Sequence, residues 1–193
     1  MEDKAFEAQV KETVIKEEVV YHGHIIDVVD ETVVLSDGHQ THRDIVHHAG
    51  AVAILALTAD DKMIVEKQWR APVRKVTLEI PAGKLDERDH GDALAAVNRE
   101  LNEEVRLQAG NIKKFAGFYS SIGFADEYMH LYLATDLQPV TTELPQDADE
   151  NIGVVYLSFD EATDLYEAGL LDDGKTVVAY QYWKIMRLEQ GLK

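Results

Sequence analysis

The sequence predicts an α/β fold: a mixed sheet with a helix on each face, preceded by an antiparallel β-meander. Three observations predict it. The first fifty residues are rich in β-branched side chains and broken by turn signals. Residues 51–57 are an unbroken apolar run of the length of a strand buried on both faces. In residues 92–105, by contrast, Leu94, Val97, Leu101 and Val105 recur at helical spacing, and strands and helices in this order pack as layers around a core.

Taken in order, residues 1–10 carry no pattern that fixes them, and fray or form a short helix. Residues 11–21 read as a strand, with Thr13, Val14, Ile15, Val19 and Val20, and Gly23 breaks it. Strands at 24–29 and 31–35 follow around Asp30. Ser36-Asp37-Gly38 is a hairpin signal, and 42–48 is the returning strand. Gly50 marks a boundary between an N-terminal meander, 1–49, and a larger domain, 50–193. In the latter, residues 51–58 and 63–69 are strands around an Asp60-Asp61 turn. Residues 76–80 form a strand that runs through Pro81 into a glycine turn before the helix. Strands at 113–119 and 128–134 flank a polar, glycine-bearing loop. A loop rich in proline and acid, 138–151, is expected to be mobile, and 154–157 is a last strand. Ser158 with Glu161 three residues on forms a capping box that opens a helix to about Ala168. An amphipathic helix at 176–190 closes the chain.

Composition narrows the function. At 193 residues, 46% hydrophobic and 28% charged, the chain has the makeup of one sizeable globular domain or a domain with an appendage. A formal charge of -17 argues against nucleic acid or anionic membrane as a partner, since both want a basic surface. It leaves room for a nucleotide, because a metal ion and a few arginines reverse the local sign. With no cysteine, neither disulfides nor thiolate metal sites are available. The polar, acidic first residues are unlike a secretory signal, and the longest apolar run is too short to span a bilayer. The expectation is a cytoplasmic protein with no membrane partner.

The 92–105 helix carries the chemistry. Glu100, Glu103 and Glu104 stand at i, i+3 and i+4, where like charges repel. Taken alone, such a face is most often simply solvated. Here a strand and glycine turn precede it and Arg99 adjoins it, and a hard divalent cation such as magnesium, which takes oxygen ligands, gives the cluster a reason.

Gly83, a spacer, and then Arg99-Glu100-Leu101-Asn102-Glu103-Glu104 resemble the Nudix box, a glycine followed at a distance by R-E-apolar-x-E-E. The spacer is two residues longer than usual, the usual spacer glutamate falls on Gly91, and Arg106 stands where a small residue is expected after the helix. These departures put the loop geometry and one salt bridge in question and leave the acids intact. Within that family the chain is similar to ADP-ribose pyrophosphatases over nearly its whole length. The segments that carry this are Arg43-Asp44-Ile45-Val46, His48-Ala49-Gly50-Ala51-Val52, Gln68-Trp69-Arg70, Leu78-Glu79-Ile80-Pro81-Ala82-Gly83-Lys84, Ser121-Ile122-Gly123-Phe124-Ala125-Asp126-Glu127 and His130-Leu131-Tyr132-Leu133.

The resemblance implies a Nudix-type α/β/α sandwich and a magnesium-dependent hydrolase, with manganese as second candidate. It would cleave the pyrophosphate of ADP-ribose to AMP and ribose 5-phosphate. Glu100, Glu103, Glu104 and the backbone carbonyl of Ala82 are the implied metal ligands, with Glu103 counted among the catalytic residues. Glu127 is the implied general base, and Asp126 its rival. Arg70 and Glu79 are implied on the substrate side. Arg43 matches an arginine that, in dimeric relatives, reaches substrate from the neighbouring subunit, so a homodimer built through the meander is expected. Trp69, Tyr21 and Phe124 are candidates for stacking on adenine, with core or interface packing as the plainer reading. The histidines give no ligand pattern, and His47 and His48, being adjacent, point to opposite faces of a strand. Two rivals stand beside this reading: hydrolysis of another nucleoside diphosphate sugar, and a module that senses a nucleotide sugar without cleaving it. A structural role without metal dependence comes third.

Overall fold

A computed structural model describes residues 3–146 and 151–192. The chain forms two compact units. One gathers Met1–Gly50 with Tyr119–Tyr128, and the other Ala51–Phe118 with Met129–Lys193. The division read from the sequence, 1–49 and 50–193, differs from these units in the side on which Gly50 and the loop 119–128 fall. The loop Tyr119–Tyr128 clusters with the meander because its backbone bonds there: Val46 N donates to Phe124 O at 2.7 Å and Asp126 N to Val46 O at 3.1 Å.

The first unit opens with a short helix, α1 (Lys4–Val10), capped by the Asp3 side chain. Three antiparallel strands follow in the order β1 (Thr13–His22), β2 (Ile26–Val34) and β3 (Gln40–His48). The two strands read at 24–29 and 31–35 are one. Asp30 and Glu31 do not turn the chain; they lie opposite Asp44 and Arg43 in a continuous ladder, and the Asp30 carboxylate is 2.8 Å from His42 Nδ1. The Gly38 hairpin is present, with Gly38 in the left-handed region at φ +87° and Leu35 N bonded to His39 O. Val29 and Val33 are buried, while β1 is exposed along its whole length.

The second unit holds two sheets. One has the order β7 (Ala82–Lys84), β4 (Ala51–Ala56), β9 (Tyr128–Pro139), β8 (Leu107–Tyr119). The other runs β10 (Gly153–Leu157), β5 (Met63–Arg70), β6 (Lys75–Glu79). β4 pairs parallel with β9 and antiparallel with β7, which makes the first sheet mixed. All of β4 is buried, as its unbroken apolar run requires. Ala51, Ala53 and Leu55 enter one core with Leu131, Tyr180 and Trp183, the last two from α4 (Gly174–Glu189). Val52, Ile54 and Ala56 enter a second with Val97 and Leu101 of α2 (Ala93–Val105). Helices therefore cover both faces of the mixed sheet, the α/β/α sandwich. The remaining helix, α3 (Phe159–Glu167), starts at the Ser158–Glu161 capping box. None of the described helices is long and apolar enough to cross a membrane.

Strands β8 and β9 extend beyond the 113–119 and 128–134 expected. Of the proline- and acid-rich loop expected at 138–151, residues 147–150 lie outside the described residues. The part that leaves β9 is tied down to α2: Asn102 Nδ2 donates to Thr142 O at 3.0 Å, and Leu144 N to Asn102 Oδ1 at 2.9 Å. Arg106, at φ +60°, closes α2, its carbonyl accepting from Val140 N and its guanidinium donating to Asn102 O and Leu144 O. The large residue at this left-handed position thus adds its own hydrogen bonds to the helix end.

Candidate active site

The site is built where β6 runs through Pro81 into β7 and onto α2. β7 is only three residues long and carries no periodic signal, yet its pairing places Gly83 opposite Val52 and Ala82 opposite Ala53 on the central strand. Asp92 caps α2, its Oδ1 accepting from Leu94 N. Val97, Leu101 and Val105 are buried as the stripe predicts, whereas Leu94 is largely exposed.

Glu100, Glu103 and Glu104 are not a solvated face: each is only 5–6% exposed. Ionised carboxylates withdrawn from water need counter-charges or hydrogen bonds. Arg99 supplies both. Its Nη1 donates to Glu100 Oε1 at 2.7 Å and to Glu103 Oε2 at 2.8 Å, and its Nη2 to Lys84 O at 3.2 Å. Arg88 Nη1 reaches Glu103 Oε1 at 3.2 Å, and Ala82 N donates to Glu104 Oε2 at 3.0 Å. Gly83 lets the Glu100 carboxylate lie where it does, since a Cβ there would lie 1.6 Å from Glu100 Oε1.

Arg99 has one further partner that the sequence reading missed. Its Nε and Nη2 donate to the two oxygens of Asp89, each at 2.9 Å. The spacer position that the family resemblance assigns to an acid is Gly91, seven residues before the last of the spacer. The two extra residues displace it, and Asp89, inside a 3₁₀ turn Glu87–Asp89 capped by Asp86, takes its place. The spacer thus does carry an acid paired with Arg99, at residue 89. Counting forward from Gly83 would have found it. Burial works against the charge on Arg99, but the bonds it donates to Asp89 and Glu103 raise its pKa well above the ordinary value. The bond to Arg99 in turn holds the Asp89 carboxyl below the usual range.

The donor chemistry fits a hard divalent cation: three buried carboxylates beside a small-residue turn whose glycine lets the Glu100 carboxylate approach closely. In this conformation Glu100 and Glu103 are turned onto Arg99. Among the described residues, no three His, Cys, Asp or Glu side chains are gathered as a ready ligand set. The hydrogen bonds from Arg99 and Ala82 engage one oxygen of Glu100 and one of Glu104, and a carboxylate so held can still offer its other oxygen to a cation.

Arg70 and Glu79, expected as two separate substrate contacts, face each other. Arg70 Nε and Nη2 donate to Glu79 Oε1 and Oε2 at 2.6 and 2.7 Å. Glu79 is buried and also receives Thr77 Oγ1 at 2.6 Å and Lys175 Nζ. Burial opposes its ionisation, but the Arg70 and Lys175 contacts outweigh that and hold its pKa at about 2.

In the first unit, Asp126 and Glu127 sit opposite the paired histidines. His47 Nδ1 is 2.7 Å from Asp126 Oδ2, His48 N donates to Asp126 Oδ1 at 2.9 Å, and His48 Nδ1 lies 3.5 Å from Glu127 Oε1. The histidines that showed no pattern in the sequence thus anchor the loop, one to each adjacent acid. Arg43 is held within its own unit, its Nε and Nη2 donating to Glu12 at 3.0 and 2.5 Å. Trp69, Tyr21 and Phe124 are each more than half exposed, so none is core.

Known proteins resemble the chain along nearly its full length. Residues 47–179 match the NUDIX domain. An ADP-ribose pyrophosphatase of Bacillus subtilis (strain 168) is 38% identical over 95% of this chain and 98% of its own. A methanol dehydrogenase activator of Bacillus methanolicus is 36% identical over 95% and 96%. A crystal structure of an ADP compounds hydrolase superposes with a TM-score of 0.81 over 94% of this chain and 96% of that one; at 21% identity it bears on the fold alone.

Proposed function

The chain belongs to the Nudix family, and we propose that it is a magnesium-dependent pyrophosphatase that hydrolyses ADP-ribose to AMP and ribose 5-phosphate. The observation that carries the reading is the buried ladder of Glu100, Glu103 and Glu104 packed onto the Gly83 turn. The choice of substrate is supported by the near full-length similarity to a Bacillus subtilis ADP-ribose pyrophosphatase.

Glu100, Glu103, Glu104 and the carbonyl of Ala82 would hold the cation, with manganese as the second candidate. When bound, the metal supplies charge neutralisation at the diphosphate and an activated water. The chain's own residues do the rest. Arg99, anchored by Asp89, keeps the carboxylates of α2 oriented. Arg70 offers a guanidinium to a phosphate. Glu127 is the proposed base, accepting a proton at a carboxylate oxygen; Asp126 is a poorer one, because both its oxygens serve the tie to β3. The exposed apolar side chains of β1, among them Val14, Ile15, Val19 and Val20, support a homodimer through the meander, in which Arg43 would leave Glu12 for the partner's substrate.

The closure of Glu100 and Glu103 onto Arg99 favours one other reading, a module that binds a nucleotide sugar without cleaving it. Incubation with ADP-ribose and magnesium, extended to a panel of nucleoside diphosphate sugars with product identification, separates the two. Release of AMP from ADP-ribose ahead of the other compounds supports the proposal. Cleavage of another member instead would replace the substrate, and binding without product would replace the function.

A further inference from the structure

Lys175 is a buried cation that no motif of the sequence explains. It lies in the first turn of α4, its side chain about 10% exposed, with Nζ on Glu79 Oε2 and 3.1 Å from Asp173 Oδ1. Glu79 therefore carries two cations of different character. Arg70 is the outer one, its side chain 44% exposed and its Nη1 without a hydrogen bond among the described residues. Lys175 is the enclosed one.

A buried carboxylate stripped of every counter-charge is strongly destabilising. Were Arg70 the only cation on Glu79, moving it to a ligand would strand that charge. With Lys175 in place it does not. We propose that Lys175 is a positioning residue that makes Arg70 releasable: it keeps Glu79 neutralised while the Arg70 guanidinium turns from that carboxylate to a phosphate of the diphosphate substrate. The exchange replaces one two-pronged oxyanion partner with another of matching geometry. Neighbouring contacts hold the remaining pair still. Thr77 Oγ1 stays on Glu79, and Thr176 Oγ1 accepts from Ile80 N at 2.9 Å while donating to Asp173 Oδ2 at 2.6 Å, which pins the start of α4 to the end of β6. Glu79 enters the exchange ionised, and of the contacts that hold its pKa down, those from Lys175 and Thr77 stay when Arg70 leaves.

The inference rests on the reading of Arg70 as a phosphate ligand given above, and one set of variants separates the two. Steady-state kinetics on ADP-ribose are measured for wild type, Arg70→Ala, Lys175→Met and the double variant. Thermal melting shows each to be folded, and Lys175→Gln replaces the methionine variant where that one melts below assay temperature. Lys175→Met is expected to raise KM about tenfold, the scale of a hydrogen bond to a charged group, with kcat nearly unchanged. In the Arg70→Ala background the same substitution is expected to add nothing, because Lys175 acts through Arg70. An unchanged KM in Lys175→Met, or an equal rise when Arg70 is absent, would overturn the inference and leave Lys175 a plain support of the fold. A wild type that does not cleave ADP-ribose, or an Arg70→Ala variant with wild-type KM, would remove the reading of the site and the inference with it.

Discussion

Arg99 and Asp89 meet as a two-pronged, buried ion pair, with both bonds at 2.9 Å and the side chains 10% and 2% exposed. The same guanidinium holds Glu100 and Glu103. The pair therefore couples the 3₁₀ turn of the spacer to the acids of α2, and a change at residue 89 is transmitted to carboxylates it does not touch.

Asp89→Ala is expected to lower unfolding free energy by about 3 kcal/mol, the cost of leaving one partner of a buried pair behind. Urea denaturation measures it. A loss below about 1 kcal/mol would mean that Arg99 does not depend on this acid.

Gly83→Ala separates site from scaffold. The added methyl meets the far end of the Glu100 side chain and not backbone, so the fold absorbs it by moving that carboxylate. The expected outcome is a melting temperature close to wild type with kcat/KM reduced at least ~10²-fold, the scale of losing a principal charge-stabilising group. Unimpaired turnover would show that the position of Glu100 is immaterial.

The tie between His47 and Asp126 titrates. The hydrogen bond to Asp126 raises the His47 pKa above 6.5, with smaller contributions from the charges of Glu17 and Glu31. Its stabilisation is fully present below that unfolded value and is lost as pH rises through the higher folded one. Asp126, lowered from 3.8 chiefly by the same bond, contributes above 3.8 and loses that as pH falls through its folded value. An NMR titration of the His47 ring is expected to give a midpoint above 6.5 that moves down in Asp126→Asn. A midpoint at or below 6.5 in the wild type would contradict the tie.

Much of this was legible in the residues, for identifiable reasons. The buried strand β4, the Asp92 cap and the Ser158–Glu161 box are local signals, each complete within a few residues. What escaped depends on partners far along the chain. Asp30 and Glu31 read as a break because what holds them lies on the next strand: Arg43 directly opposite Glu31, and His42 diagonally across from Asp30. β7 is a strand only because β4 lies beside it. His47 and His48 acquire meaning from acids 79 residues away. That Arg70 and Glu79 bond each other is hidden too, since the strand register sets Arg70 opposite Lys75 and Glu79 opposite Glu66, and only the folded side chains bring the two together.

The most direct measurement is calorimetric titration of magnesium into the protein held with a nonhydrolysable ADP-ribose analogue, for wild type and for Glu104→Gln. The account predicts saturable magnesium uptake by the wild type and affinity at least ~10-fold weaker in the variant, given that even outer residues of metal sites cost that much. No uptake by the wild type, or equal affinity in both proteins, would contradict the claim that the buried acids of α2 exist to hold a cation against a diphosphate.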